Sequence, residues 1–201
     1  MGRPKEHDEA TRERLLQAAE ALSASKGFES LTVRAVADAA GTSTRAVYAL
    51  FGSKEGLEQA LHQAMFTRLR DLERARRRRD DPRADLVELA MAYRRWAVER
   101  PDRYVVAMHS FVGRGARSRS AEGLAVSREA LDELIQAVRR CDEAGLLAVD
   151  AEDVVVHLRA VVHGLADFEN LGLLAPDPEH HWRSLISAVL DGYVRAPAAA
   201  A

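Results

Sequence analysis

Apolar residues return at every third or fourth position along almost the whole chain, and nowhere do they alternate long enough to suggest a strand. That spacing puts them on one face of successive α-helices, each of which needs a neighbour to bury against. Aromatic residues are only 5% of the chain, and no Asn-Gly or Asp-Gly hairpin turn joins two alternating runs. The chain reads as all-α. Its 201 residues suffice for one ordinary domain or two small ones sharing a core.

Glycine, proline and hydroxyl residues cut the pattern into segments. A first helix is expected over 8–25, with Leu15, Ala18, Ala19 and Leu22 inward and Gly27 as its stop. Thr32 is placed to cap a short helix through Ala39, and Ser43 to cap another from Thr44 to Phe51. Ser53 starts a long helix that runs on into the arginines Arg74 to Arg79. "DDPRAD", with Asp80, Asp81 and Pro82, is the natural boundary. Further helices are expected near 84–100, 102–112, 122–144, 151–174 and 178–194. The organisation that follows is a first domain over 1–52, a connecting helix over 53–79, a second domain over 80–196 and a tail over 197–201.

Between Val33 and Phe51 two short helices are separated by a tight turn at Gly41, which is a helix-turn-helix arrangement. Val33, Val36, Ala37, Val47, Leu50 and Phe51 fill its inward positions, leaving Thr44, Arg45, Ala46, Ala49 and Tyr48 outward. The second helix of such a pair enters the major groove of DNA with its N-terminal residues facing base edges. Arg45 suits a guanine, while Thr44 and Ala46 suit a thymine methyl. Free amides at helix starts bind phosphate, so Thr32, Ser43 and Ser53, with Lys54 and the Tyr48 hydroxyl, are candidate backbone contacts. For Thr32 and Ser53, capping without any phosphate contact stays an open alternative. Arg3 and Lys5 either reach a minor groove or belong to a solvated tail. The Arg74–Arg79 run either complements the end of the long helix or attracts DNA at long range.

The segment "LLQAAEALSASKGFESLTVRAVADAAGTSTRAVYALFGSKEGL", within residues 11–65, resembles the N-terminal domain of the tetracycline-repressor (TetR) family of bacterial transcription regulators. Its Tyr48, Phe51, Ser53, Lys54 and Glu55 follow the family's Tyr-x-x-Phe-x-Ser-Lys-Glu run. It departs at Leu50, usually aromatic, and at Arg45, often small, which bears on the operator and not on the fold. The resemblance implies a homodimer, a palindromic operator on double-stranded DNA, and release when a small-molecule effector occupies the C-terminal domain.

The second domain is acidic: residues 80–201 carry 14 Lys/Arg against 20 Asp/Glu, where residues 1–79 carry 15 against 11. Only the first part is suited to a polyanion. Two antiparallel helices from each chain are expected to form a four-helix dimer contact. Val155, Leu158, Val162 and Leu165 from one, and Trp182, Leu185, Ile186 and Val189 from the other, are its candidates; intrachain packing is the competing reading. "AVVHGLADFENLGLL" and "PDRYVVAMHSF" resemble a TetR subgroup marked by a Trp-His-Gly signature, although Val162 stands where that tryptophan would be. Candidate effector-lining residues are Trp96, Tyr104, Met108, His109, Phe111, His163 and Phe168, any of which can instead be plain core. A buried imidazole requires a partner, which favours the two histidines.

No Gly-rich phosphate loop, Cys-His pairing or metal-ligand spacing is present, so neither an enzyme, a metal nor a cofactor is expected. The single cysteine, Cys141, the polar first ten residues and the lack of a roughly 20-residue apolar run point to a cytoplasmic protein without a membrane partner. A helical ligand-binding or scaffold protein that ignores DNA is the alternative.

Overall fold

The computed structural model describes residues 9–112 and 121–193, the side chains of residues 29, 106, 109–112 and 121–130 excepted. Among the described residues there is no strand; the elements are α1 (Glu9–Lys26), a 3-10 turn (Phe28–Ser30), α2 (Val33–Ala39), α3 (Thr44–Phe51), α4 (Lys54–Ala75), α5 (Pro82–Glu99), α6 (Pro101–Val112), α7 (Ala121–Glu143), α8 (Ala151–Asn170) and α9 (Pro178–Tyr193). They fall into two compact units, one of residues 1–68 with 100–127, the other of residues 69–99 with 128–201.

In the first unit α1 packs on α2, on the 3-10 turn and on α6, and α2 packs on α3. The core is built from Leu15, Leu16 and Ala19 of α1, Leu31, Val36 and Ala37, Val47, Leu57, Leu61 and Met65 of α4, and Tyr104 and Ala107 of α6. These positions recur at the helical spacing seen in the sequence, which is why each short helix is stable only in company.

In the second unit α5 packs on α8 and α9, which pair with each other. Leu86, Leu89, Ala92, Val138, Val154, Leu158, Ala166, Trp182, Ile186 and Leu190 are buried. The Asp150 carboxylate accepts from the Glu152 N–H (2.7 Å) to start α8, and the Ala148 N–H donates to the Tyr193 carbonyl (2.7 Å). Arg94 donates twice to Glu169 (2.6 and 2.9 Å), tying α5 to the last turn of α8.

Two helix ends differ from expectation. α8 stops at Asn170 rather than near 174, because the Leu173 N–H turns back onto the Phe168 carbonyl (2.9 Å). α4 stops at Ala75, before the arginine run ends. Arg76 is 4% exposed at its side chain and donates to Asp85 (3.0 Å) and Glu133 (3.2 Å), while the Arg79 N–H donates to Asp85 (2.9 Å). Arg140 adds a second cation to Asp85 (2.9 Å) and Arg78 another to Glu133 (3.1 Å). Leaving the helix lets the run pair with buried carboxylates that would otherwise be uncompensated.

Candidate functional site

The reading helix is held by backbone geometry at both ends. Gly41 has φ 63°; around it the Ala40 N–H donates to Val36 O (2.9 Å) and the Thr42 N–H to Ala37 O (2.9 Å), closing α2 within three residues. Gly52, φ 74°, ends α3 with its N–H on Tyr48 O (2.8 Å). Both are left-handed positions that glycine takes without strain. Thr32 Oγ1 accepts from Ala35 N–H (3.1 Å), Ser43 Oγ from Ala46 N–H (3.2 Å) and Ser53 Oγ from Gly56 N–H (3.0 Å). All three hydroxyls are thus engaged as caps. A further requirement escaped the sequence reading: a Cβ on Gly56 would lie 1.9 Å from the Phe51 carbonyl oxygen. Only glycine lets the first turn of α4 pass this close to the end of α3.

Ser43, Thr44, Arg45, Tyr48 and Ala49 are exposed, Tyr48 at 54%. Positions 44, 45, 48 and 49 form one continuous helix face. Ala46 departs from expectation: it is 1% exposed, beside Val47 in the core, because its place on the wheel adjoins the packed stripe. It cannot touch a base. Lys54 is partly exposed but lies 3.5 Å from Glu58, whose side chain is 6% exposed, so part of its charge is already answered. Arg34, on the exposed side of α2, extends into solvent with only a 4.0 Å approach to Asp38. The Arg12 guanidinium sits 5.6 Å from the Phe51 ring centroid, a cation–π contact between α1 and the end of α3.

The candidate effector residues do not form one set. In the second unit Tyr93, absent from the sequence expectation, joins His163: its hydroxyl is 2.8 Å from Nδ1. Trp96 and Trp182 lie 5.5 and 6.5 Å from the Tyr93 ring. Burial pushes the His163 imidazole below its usual range, with Arg159 acting the same way and Asp167 against. Among the described residues the buried Trp182 N–H has no hydrogen-bond partner. Tyr104 is buried and Met108 half-buried, both on α6 in the first unit. Phe168 is corrected: at 54% exposure it is not part of the buried core of its unit. The side chains of His109 and Phe111 lie outside the described residues, as do Arg3, Lys5 and the tail over 197–201.

Five of the eight expected dimer residues also need correction. Leu158, Val162, Leu165, Trp182 and Ile186 are all at most 9% exposed within one chain; they are the stripe that packs α8 and α9 in their own unit. Val155 and Val189 are half-buried, and Leu185 is exposed. The outer stripe of α8 is Val156, Ala160, Gly164 and Phe168, with Leu171 and Leu173 beyond it; on α9 it is Leu185, Ala188 and Gly192. Among the described residues a Cβ on Gly164 or Gly192 would meet nothing within 4 Å, so neither glycine serves a close approach to them. α8 is apolar on two faces, and periodicity alone favoured the stronger one.

Among the described residues no group of three or more His, Cys, Asp or Glu side chains is placed to hold a metal ion, and no helix is long and apolar enough to cross a membrane. Burial raises the Cys141 thiol to about 11, leaving little thiolate.

Residues 15–61 match the tetR family of bacterial regulatory proteins, and residues 86–189, more than half of the chain, match the tetracyclin repressor-like C-terminal domain. No curated protein matches the chain significantly. Among solved structures, a protein of unknown function from Rhodococcus sp. RHA1 superimposes with a TM-score of 0.81 at 24% identity, covering 96% of this chain and 100% of its own. A TetR family transcription regulator from Marinobacter aquaeolei VT8 gives 0.77 at 21% identity over 94% and 98%. The TetR family transcriptional regulator PfmR from Thermus thermophilus gives 0.66 at 25% identity over 92% and 98%.

Proposed function

Since this chain belongs to the TetR family of transcription regulators, we propose that it is a homodimeric repressor released from a palindromic operator by a small-molecule effector. The observation that carries the DNA half of the reading is the exposed face of Thr44, Arg45 and Tyr48 over a buried Val47. Arg45 reads a base edge, with Thr44 beside it. Tyr48, Lys54 and the amides at the Thr32, Ser43 and Ser53 caps fix register on phosphates. Such contacts release condensed counterions, so affinity for duplex falls steeply with salt.

The two-fold contact is the outer stripe of α8 and α9. Its apolar side chains stand exposed in the single chain, and its small residues admit a second helix pair at short distance. Val162-His163-Gly164 is read as the counterpart of the Trp-His-Gly signature. The effector is held by the aromatic and imidazole groups of the second unit, Tyr93, Trp96 and His163. These offer one hydrogen-bonding pair in apolar surroundings, which suits a largely apolar molecule with a single polar group.

The test is duplex binding by the purified full chain over a salt series. A log–log slope of several ions released supports the reading; absence of duplex binding even at low salt favours a scaffold protein. A thermal-shift screen of small molecules then finds the effector, whose addition must weaken duplex binding.

A further inference from the structure

The first unit contains a buried carboxylate that the DNA-reading function does not use. Glu20, on α1 two turns before its end, has a side chain only 7% exposed. Its Oε2 accepts from Arg68 Nη1 of α4 (2.9 Å), and its Oε1 accepts from Arg103 Nε in the first turn of α6. Arg100 Nη2 stands 3.9 Å from the same Oε1. The outer arginines are themselves fixed: Arg68 reaches Glu13, two turns back on α1 (3.6 Å), and Arg100 makes a two-pronged bond to Asp102 (2.9 and 3.2 Å).

α1 carries this junction and also the packing against α2, which in turn holds α3. The Arg12–Phe51 contact adds a direct tie from α1 to the end of the reading helix. We propose that Glu20 is a positioning residue: it latches α6 and α4 onto α1, and so couples the seat of α6 to the seat of the DNA-reading helix. The inference rests on the DNA-binding function proposed above and names its regulation.

The energetics follow from burial. A carboxylate this far from water is costly to leave without its hydrogen-bond donors. Moving the start of α6 by the length of one hydrogen bond strips Arg103 from Oε1. The bonds to Arg68 and Arg103 are made on opposite oxygens, so neither cation can take over both roles. α1 then either follows α6 or loses the pairing. Either way, what happens at α6 is felt at α2 and α3.

Hydrogen exchange of the full-length protein tests this, with and without a duplex that the wild-type protein retains from a random pool. In the wild type, the duplex slows exchange in α3 and, severalfold, in residues 102–108 of α6. In Glu20→Gln the duplex still slows α3, but α6 no longer responds. Arg103→Gln, which leaves Arg68 and Arg100 to answer Glu20, gives the same loss in a milder background should the first variant fold poorly. Arg103→Lys restores part of the α6 response. The proposal is overturned if α6 of both glutamine variants responds as in the wild type. It is equally overturned if a duplex that protects wild-type α3 leaves α6 unchanged. If no duplex protects wild-type α3, the DNA-reading function itself fails, and the latch as a coupling device fails with it.

Discussion

Arg45 and Lys54 are both cations beside the reading helix, yet their surroundings differ. Arg45 is exposed on the α3 face, whereas Lys54 stands 3.5 Å from a buried Glu58. Arg45→Ala should therefore cost about 1–3 kcal/mol on the preferred duplex and relax sequence choice there. Lys54→Ala should weaken all duplexes alike and lower the salt slope by about one or less; titrations on preferred and scrambled duplexes separate the two. Gly56→Ala puts a methyl group 1.9 Å from Phe51 O. Backbone must shift, so the thermal midpoint should fall and duplex binding with it. Burial pushes the Glu73 carboxyl from an ordinary 4.5 to about 8, with Arg76 acting against it and Glu133 reinforcing it. The folded state then holds this proton more tightly than the unfolded chain. Stability from this group is full below about 4.5 and is lost as pH rises towards 8, a slope on the order of a few kcal/mol in all. Glu73→Gln should flatten that decline, which thermal melts between about pH 5 and 9 would show. At this scale the caps Thr32, Ser43 and Ser53 were legible because a hydroxyl before a helix start has local meaning. Ala46, Gly56 and Glu20 were not, since the wheel position of a small residue, a close backbone crossing and a buried charge all depend on what lies opposite.

Helices announce themselves through spacing, and α2, α3 and α9 lie within a residue of where periodicity put them. The ends of α4 and α8 do not follow periodicity, because contacts outside the helical pattern set them: buried carboxylates for the arginines, a local backbone turn for Leu173. The arginine run shows how misleading a charge block is when read alone. Three of its cations, Arg74, Arg76 and Arg78, answer Glu133, and Arg76 also answers Asp85. Arg76→Met should destabilise the second unit by about 3 kcal/mol, the low end for a broken buried pair, because Arg140 and Arg78 remain. Denaturant unfolding measures it. The faces of α8 were confused for a similar reason, as periodicity finds apolar stripes without saying which neighbour each one meets. The correction is testable: Leu158→Ala should cost about 2–5 kcal/mol of stability. Phe168→Glu should leave the single-chain fold intact and dissociate the proposed dimer in sedimentation analysis.

On the scale of the whole molecule, the all-α architecture and the family were legible before any coordinates, because the helix-turn-helix signal spans some fifty residues of mutually consistent types. The proposed effector site was legible only in part: Trp96 and His163 stand out in the sequence, but Tyr93 gave no signal of its own and surfaced only through its 2.8 Å contact with His163. In the proposed repressor the exposed α3 face reads a half-site and the outer stripe of α8 and α9 presents two copies of it. Sequencing the duplexes that the full-length protein retains from a random pool tests both together. The account predicts an inverted repeat whose half-site centres lie about 10 base pairs, or a multiple of that, apart. Recovery of unrelated sequences, or of a single half-site with no symmetry mate, would contradict it.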